Sequence, residues 1–137
     1  MVRVQEGELS KRSTYSNVGA FFVPFIQSLV LNYILVKYYI YILYSFSADR
    51  YYVGYSPDPF IRLEQHLTNH THKFTGKWKD WKLKAIFYVS ENRETAITVE
   101  KFIKKQKSRK LVEKLIDVNF IPNGELAQLV RVPHVRN

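Results

Sequence analysis

Three runs of apolar residues in this chain predict β-strands. Tyr38–Tyr44 is a continuous run of aromatic and aliphatic residues, which favours a buried strand. After a short polar break at residues 45–50, Tyr51–Tyr55 forms a second such run, and the two are expected to pair as an antiparallel hairpin. Leu83–Val89 is a third apolar run and predicts a third strand.

Three capping residues mark the starts of predicted helices. Asp58, which precedes a proline, is typical of an N-cap, and its helix is expected to end at about Leu67. Asn92 can cap a second helix over about residues 93–107, and Ser108 can cap a short third helix. Each helix has an apolar face at helical spacing: Phe60, Leu63 and Leu67; Ala96, Val99 and Ile103; Leu111, Val112, Leu115 and Ile116. The order ββαβαα predicts an α+β domain, a three-stranded antiparallel sheet flanked by helices.

The domain is expected over residues 37–117, with segments of other character on either side. Residues 1–36 are a predicted leader, and its apolar stretch 18–36 is within the length range of a membrane span. It is a membrane anchor, a helix packed on the domain, or sequence upstream of the real start, and the third is favoured because the domain is self-sufficient. Membrane attachment is therefore not expected. Residues 118–137 are a predicted irregular tail, part of which resembles the conceptual translation of a tRNA gene.

The composition of the chain limits which binding partners and which kinds of site are expected. The chain has 137 residues, which is one domain's worth, and no cysteine, which excludes disulfides, Cys-based zinc sites and Cys nucleophiles. Its net charge of +9 attracts polyanions, so nucleic acid or anionic lipid is the expected partner. Residues 73–110 hold twelve Lys and Arg against four Asp and Glu, so almost all of this charge lies there.

The basic segment, with tryptophans interleaved, predicts a surface that follows phosphates and stacks on bases. A solvated face with tryptophans in the core is the alternative. The candidate nucleic-acid-binding residues are Lys73, Lys77, Trp78, Lys79, Lys104 and Lys107.

Residues suited to phosphodiester hydrolysis occur in and after the hairpin. That reaction needs an activated water, charge stabilisation at the phosphate and help for the leaving oxygen. A carboxylate can hold a metal ion, an arginine can stabilise phosphate charge, and a phenol or imidazole can move a proton. The chain offers tyrosines, Arg62 and His66 in and after the hairpin, and Glu100 on the predicted second helix. For Glu100, an exposed ion pair with Lys104 is the structural alternative.

Over residues 37–117 the chain resembles the GIY-YIG nuclease superfamily, in its small stand-alone branch. Tyr39-Ile40-Tyr41 matches the first motif, with Tyr in place of the leading Gly, and Tyr52-Val53-Gly54 matches the second. Arg62, His66 and Glu100 match the helical arginine, the residue one turn later and the metal-binding glutamate. The chain is also similar to the incision domain of the bacterial excision-repair nuclease, which implies work in DNA repair.

The resemblance implies a cytoplasmic, metal-dependent endonuclease acting on DNA, with structured or branched DNA as a possible substrate. One Mg²⁺ or Mn²⁺ is expected on Glu100. Tyr41 or Tyr52 is expected to accept a proton or orient the water, Arg62 to stabilise the scissile phosphate and His66 to assist by hydrogen bonding or proton transfer. A nucleic-acid-binding module with weak or lost catalysis is the alternative function.

Overall fold

The computed structural model describes residues 35–68 and 74–133, together with the single residue Gln27. The chain divides into two units, Met1–Val36 and Lys37–Asn137, and all the strands and helices of residues 35–68 and 74–133 belong to the second. Most of the leader, including its apolar stretch apart from Gln27, Leu35 and Val36, lies outside the described residues. Among the residues that are described, no helix has the length and apolar character needed to cross a membrane.

Within residues 35–68 and 74–133 the protein is α+β, with an antiparallel sheet of four strands. The strands are β1 (Tyr38–Ser45), β2 (Arg50–Ser56), β3 (Trp81–Ser90) and β4 (Val130–Arg131), and they lie in the order β2-β1-β3-β4. The predicted hairpin of β1 and β2 is confirmed.

The same residues form three α-helices, namely α1 (Pro59–Thr68), α2 (Arg93–Lys105) and α3 (Arg109–Ile116). The predicted caps are confirmed. Asp58 accepts hydrogen bonds from the backbone N–H groups at the start of α1, Asn92 accepts from Glu94 N at 2.8 Å, and Ser108 accepts from Leu111 N at 3.2 Å. These side-chain oxygens pair backbone N–H groups that have no partner inside the helix.

Helices cover both faces of the sheet, which explains why β1 is apolar without alternation. Ile40 and Ile42 pack in one core cluster with apolar residues of α2 and α3. Tyr41 and Leu43 point to the other face, where they form a second cluster to which α1 contributes Leu63 and Leu67. Phe60 was expected on that buried face, but it is half exposed. His66 is buried there instead.

The expectation of a three-stranded sheet is wrong, because residues 130–131, within the segment predicted to be an irregular tail, add β4 to the edge of β3. A strand of two residues is too short to give a period that sequence reasoning can detect. The tail also contributes Leu126 and Leu129 to the α2/α3 core cluster. The guanidinium of Arg131 donates to the backbone carbonyls of Leu115 and Asp117, so this segment is tied to the end of α3.

We predict that Leu129→Ala lowers the free energy of unfolding by about 2–5 kcal/mol, because it removes a buried side chain from the core. Ile121→Ala is the matched control, since Ile121 lies in the same segment and is exposed, and it should change stability by less than about 0.5 kcal/mol. Urea unfolding of the two variants makes the comparison. Equal small effects would show that the tail does not contribute to the core.

Candidate active site

A cavity of about 480 Å³ opens where the hairpin meets α1 and α2. We call it the candidate active cavity. Four of the five residues that the sequence suggested for catalysis line it: Tyr41, Tyr52, Arg62 and Glu100. Its other lining residues are Tyr38, Tyr55, Ser56, Pro57 and Arg93. His66, the fifth candidate, is not among the lining residues and lies against the Tyr41 side chain.

Tyr41 is held over the backbone of Gly54. The two residues are directly opposite each other in the β1–β2 register. A Cβ atom at Gly54 would lie 2.5 Å from Cζ of Tyr41 and 2.9 Å from its Cε1, closer than van der Waals contact permits. Glycine at this position therefore creates the space in which the phenol ring lies.

A buried chain of hydrogen bonds leads from Tyr41 into the protein. The Tyr41 hydroxyl lies 3.0 Å from Nε2 of His66, and Nδ1 of His66 lies 2.7 Å from Oγ1 of Thr75. The backbone carbonyl of Thr75 accepts a hydrogen bond from Trp81 Nε1 at 2.9 Å. His66 is only 1% exposed, so its ring is fixed by these partners. Sequence reasoning did not identify Thr75, because it contacts His66 only through the tertiary fold.

The surroundings of Tyr41 favour its protonated form. Burial raises the pKa of the Tyr41 phenol, and the neighbouring Tyr52 raises this pKa further. The Arg62 guanidinium acts in the opposite direction and lowers the pKa of Tyr41. The net effect is a raised pKa, so at neutral pH this phenol is a hydrogen-bond donor and needs a partner that takes its proton before it can act as a base.

Tyr52 lies at the centre of the aromatic residues on this face of the sheet. Its ring centroid is 6.2 Å from that of Tyr41 and 4.8 Å from that of His66. The Lys104 ammonium lies 5.2 Å from the centroid of the Tyr52 ring. Tyr52 is half-buried and lines the candidate active cavity, so it is packed in place while remaining accessible.

Two guanidinium groups line the candidate active cavity, whereas the sequence suggested only one. Arg62 donates to Gln65 Oε1 at 2.7 Å, one helical turn along α1. Arg93, at the start of α2, donates to the Tyr55 hydroxyl at 3.1 Å. The signal for Arg93 was present in the sequence, because it precedes Glu100 by seven residues and two helical turns bring both onto one face of α2.

Glu100 supplies a carboxylate to the same cavity. Its side chain is 14% exposed, and Lys104 Nζ donates to its Oε1 at 2.8 Å. The ion pair that was the alternative interpretation of Glu100 is thus present, yet the carboxylate also faces the cavity. Among the described residues, no group of three or more His, Cys, Asp or Glu could hold a metal ion. Glu100 is the one carboxylate among the described residues that line this cavity.

The candidate nucleic-acid-binding residues lie in several places. Lys77 and Lys79 are exposed near the 3₁₀ turn Thr75–Lys77 and do not line the candidate active cavity. Lys104 and Lys107 are exposed at the end of α2. Lys73 lies outside the described residues.

The two tryptophans of the basic segment differ in position. Trp81 is buried in the core as the first residue of β3, so the predicted stacking role does not apply to it and the core alternative does. Trp78 is half-buried, and the Arg50 guanidinium lies 5.9 Å from its ring centroid.

One family model matches the chain, and its description is "GIY-YIG catalytic domain". The match covers residues 37–114, more than half of the chain, and the chain therefore belongs to this family. The family is one of endonucleases, so the match indicates a nuclease domain. No curated protein and no solved structure matches the chain. The similarity to the excision-repair incision domain stays a prediction.

We predict that Gly54→Ala lowers the free energy of unfolding by about 1–3 kcal/mol, because the new methyl group overlaps the Tyr41 ring. In a Tyr41→Ala background the ring is absent, so the same substitution should cost little. A double-mutant cycle measured by urea unfolding isolates this coupling. The same cost in both backgrounds would contradict the assignment of the glycine to the phenol.

Proposed function

We propose that this member of the GIY-YIG family is a metal-dependent endonuclease that hydrolyses phosphodiester bonds in DNA. The observation that carries the proposal is the meeting of Tyr41, Tyr52, Arg62 and Glu100 around one cavity. These residues come from β1, β2, α1 and α2, so no single packing requirement brings them together. The net charge of +9 supports a polyanionic substrate.

The two guanidinium groups of the cavity bind the scissile phosphate. Arginine presents several N–H donors in a planar arrangement that matches phosphate oxygens. Arg62 and Arg93 line the cavity, and both are oriented by neighbouring side chains. Their positive charge stabilises the negative charge that develops on the phosphate in the transition state.

Glu100 holds one divalent ion, Mg²⁺ or Mn²⁺. Magnesium is commonly bound through one or two carboxylates, with water and substrate phosphates completing its shell, so a single cavity-facing carboxylate fits this ion. When bound, the ion supplies Lewis-acid stabilisation of phosphate charge. Lys104 pairs with Oε1 of Glu100 and orients the carboxylate.

Tyr41 and His66 act together as the proton acceptor. The raised pKa of Tyr41 makes its phenol a poor base alone. As Tyr41 takes a proton from the attacking water, it passes its own proton to Nε2 of His66 across their hydrogen bond. In this mechanism Thr75 is a positioning residue: its hydroxyl lies 2.7 Å from Nδ1 of His66. Acceptance from Nδ1–H there leaves Nε2 unprotonated to receive the proton of Tyr41. Tyr52 orients the water.

A nucleic-acid-binding module with weak or lost catalysis is the second candidate function. The Glu100–Lys104 ion pair favours it, because a carboxylate already neutralised by lysine binds a cation less strongly. This function predicts salt-sensitive DNA binding and no metal-dependent product.

We predict that the protein nicks plasmid DNA in the presence of Mg²⁺ and that EDTA abolishes the product. Glu100→Gln and Arg62→Ala should each lower the rate by about 10²–10³-fold, because each removes charge stabilisation at the phosphate. Glu94→Gln is the matched control, since Glu94 is an exposed glutamate of the same helix that does not line the cavity, and its rate should equal that of wild type. Urea unfolding verifies that each variant is folded.

The same assay separates the two candidate functions. DNA binding without any product in wild type would favour the binding module. Equal nicking by wild type, Glu100→Gln and Arg62→Ala would contradict the roles assigned to these residues.

We predict that Thr75→Val lowers kcat for nicking by about tenfold with little change in KM, because His66 loses the acceptor that fixes its orientation. Thr75→Ser keeps a hydroxyl at the same position and should retain most of the activity. Single-turnover kinetics over a range of enzyme concentrations measure the maximal rate and the half-saturating concentration separately. If serine and valine give the same loss, the hydroxyl has no part in positioning His66.

A further inference from the structure

A second cavity, of about 460 Å³, shares Tyr52 as a wall with the candidate active cavity. It opens between β2 and the segment that joins α2 to α3. Tyr51, Tyr52 and Phe74 line it with aromatic rings, and Ile103 and Val112 add aliphatic surface. Apart from Tyr52, the proposed catalytic steps use none of these residues, so this cavity requires a separate explanation.

Cationic side chains surround this apolar surface. Arg50, Lys104, Lys107 and Arg109 all line the second cavity. Lys104 and Arg109 are held in ion pairs with acidic residues of the chain. Arg50 and Lys107 form no ion pair with any described residue. Two positive charges at the cavity are therefore available to an anionic ligand.

Phe74 presents an aromatic surface at this cavity. Its side chain is 43% exposed, whereas most aromatic residues of the sheet are half-buried or buried. Its ring lies 6.4 Å from that of Tyr52 at an interplanar angle of 30°. The Arg50 guanidinium lies 5.9 Å from the centroids of both Phe74 and Trp78. Exposed aromatic rings beside arginine are the combination that proteins use to stack unpaired bases.

We infer that the second cavity binds an unpaired nucleobase of a DNA strand whose neighbouring phosphate lies in the candidate active cavity. This inference rests on the proposed nuclease function, which makes DNA the substrate. It adds that the protein recognises an unpaired base of that DNA. Phe74 stacks on the base, and Arg50 and Lys107 bind its flanking phosphates. In a duplex each base is held in the stack and must be extruded first. The protein therefore prefers DNA that is single-stranded at the cut.

Binding without metal tests this inference separately from catalysis. Fluorescence anisotropy in EDTA compares a labelled single-stranded oligonucleotide with an abasic strand of the same length and phosphate count. Stacking on Phe74 should make the normal strand bind about tenfold more tightly. The fully paired duplex should bind less tightly than the single strand.

Matched substitutions assign the effect to the cavity. Phe74→Ala should remove the difference between the normal and abasic strands, whereas Phe46→Ala should keep it, since Phe46 is 62% exposed and lines neither cavity. Lys107→Gln should weaken both strands equally and reduce the salt dependence of binding. Lys114→Gln removes an exposed charge elsewhere on the protein and should have no such effect.

Three results would overturn the inference. The first is equal affinity for the normal and abasic strands. The second is loss of the affinity difference in Phe46→Ala as well as in Phe74→Ala. The third is full displacement of the labelled strand by the mononucleotide dTMP at a concentration equal to that of the strand, which would assign the cavity to a free nucleotide. A base-dependent preference without any nicking in Mg²⁺ would support base binding while refuting the nuclease function. Nicking without a preference for the normal strand over the abasic strand would support the nuclease function while refuting base binding.

Discussion

The position of the Tyr41 ring over Gly54 is the constraint on which the candidate site depends. The phenol can lie across β2 only because the residue opposite it in the register has no side chain. In that position its hydroxyl reaches His66 on α1, and its ring faces the cavity that Glu100 of α2 also lines. The first tyrosine motif and the glycine of the second motif are thus two halves of one packing contact.

The order of strands explains how helices from opposite faces share a cavity. Tyr41 faces the α1 side of the sheet, whereas the apolar face of α2 packs on the other side. Because β2 is an edge strand, the two helices can approach each other around it. Tyr52 lies on this strand and lines both cavities. The two cavities are therefore adjacent, and Tyr52 is a wall of both.

The motif matches predicted which residues belong to the candidate site better than they predicted the contacts between those residues. The resemblance to the GIY-YIG motifs indicated four residues that line the cavity, namely Tyr41, Tyr52, Arg62 and Glu100. The same reasoning placed His66 beside Arg62 on α1, but burial sets it behind Tyr41. Thr75 was missed because its hydrogen bond to His66 depends on the course of a loop that has no periodic pattern.

The sequence by itself determined the hairpin, the three capped helices and the apolar faces of α2 and α3, since these depend on local hydrogen bonds and on the periods of strand and helix. Only the tertiary structure decided that β4 joins the sheet and that Trp81 is buried in the core. Each of these depends on contacts between segments distant in sequence. Such contacts leave no local period, because their free energy comes from packing that exists only once the chain has folded.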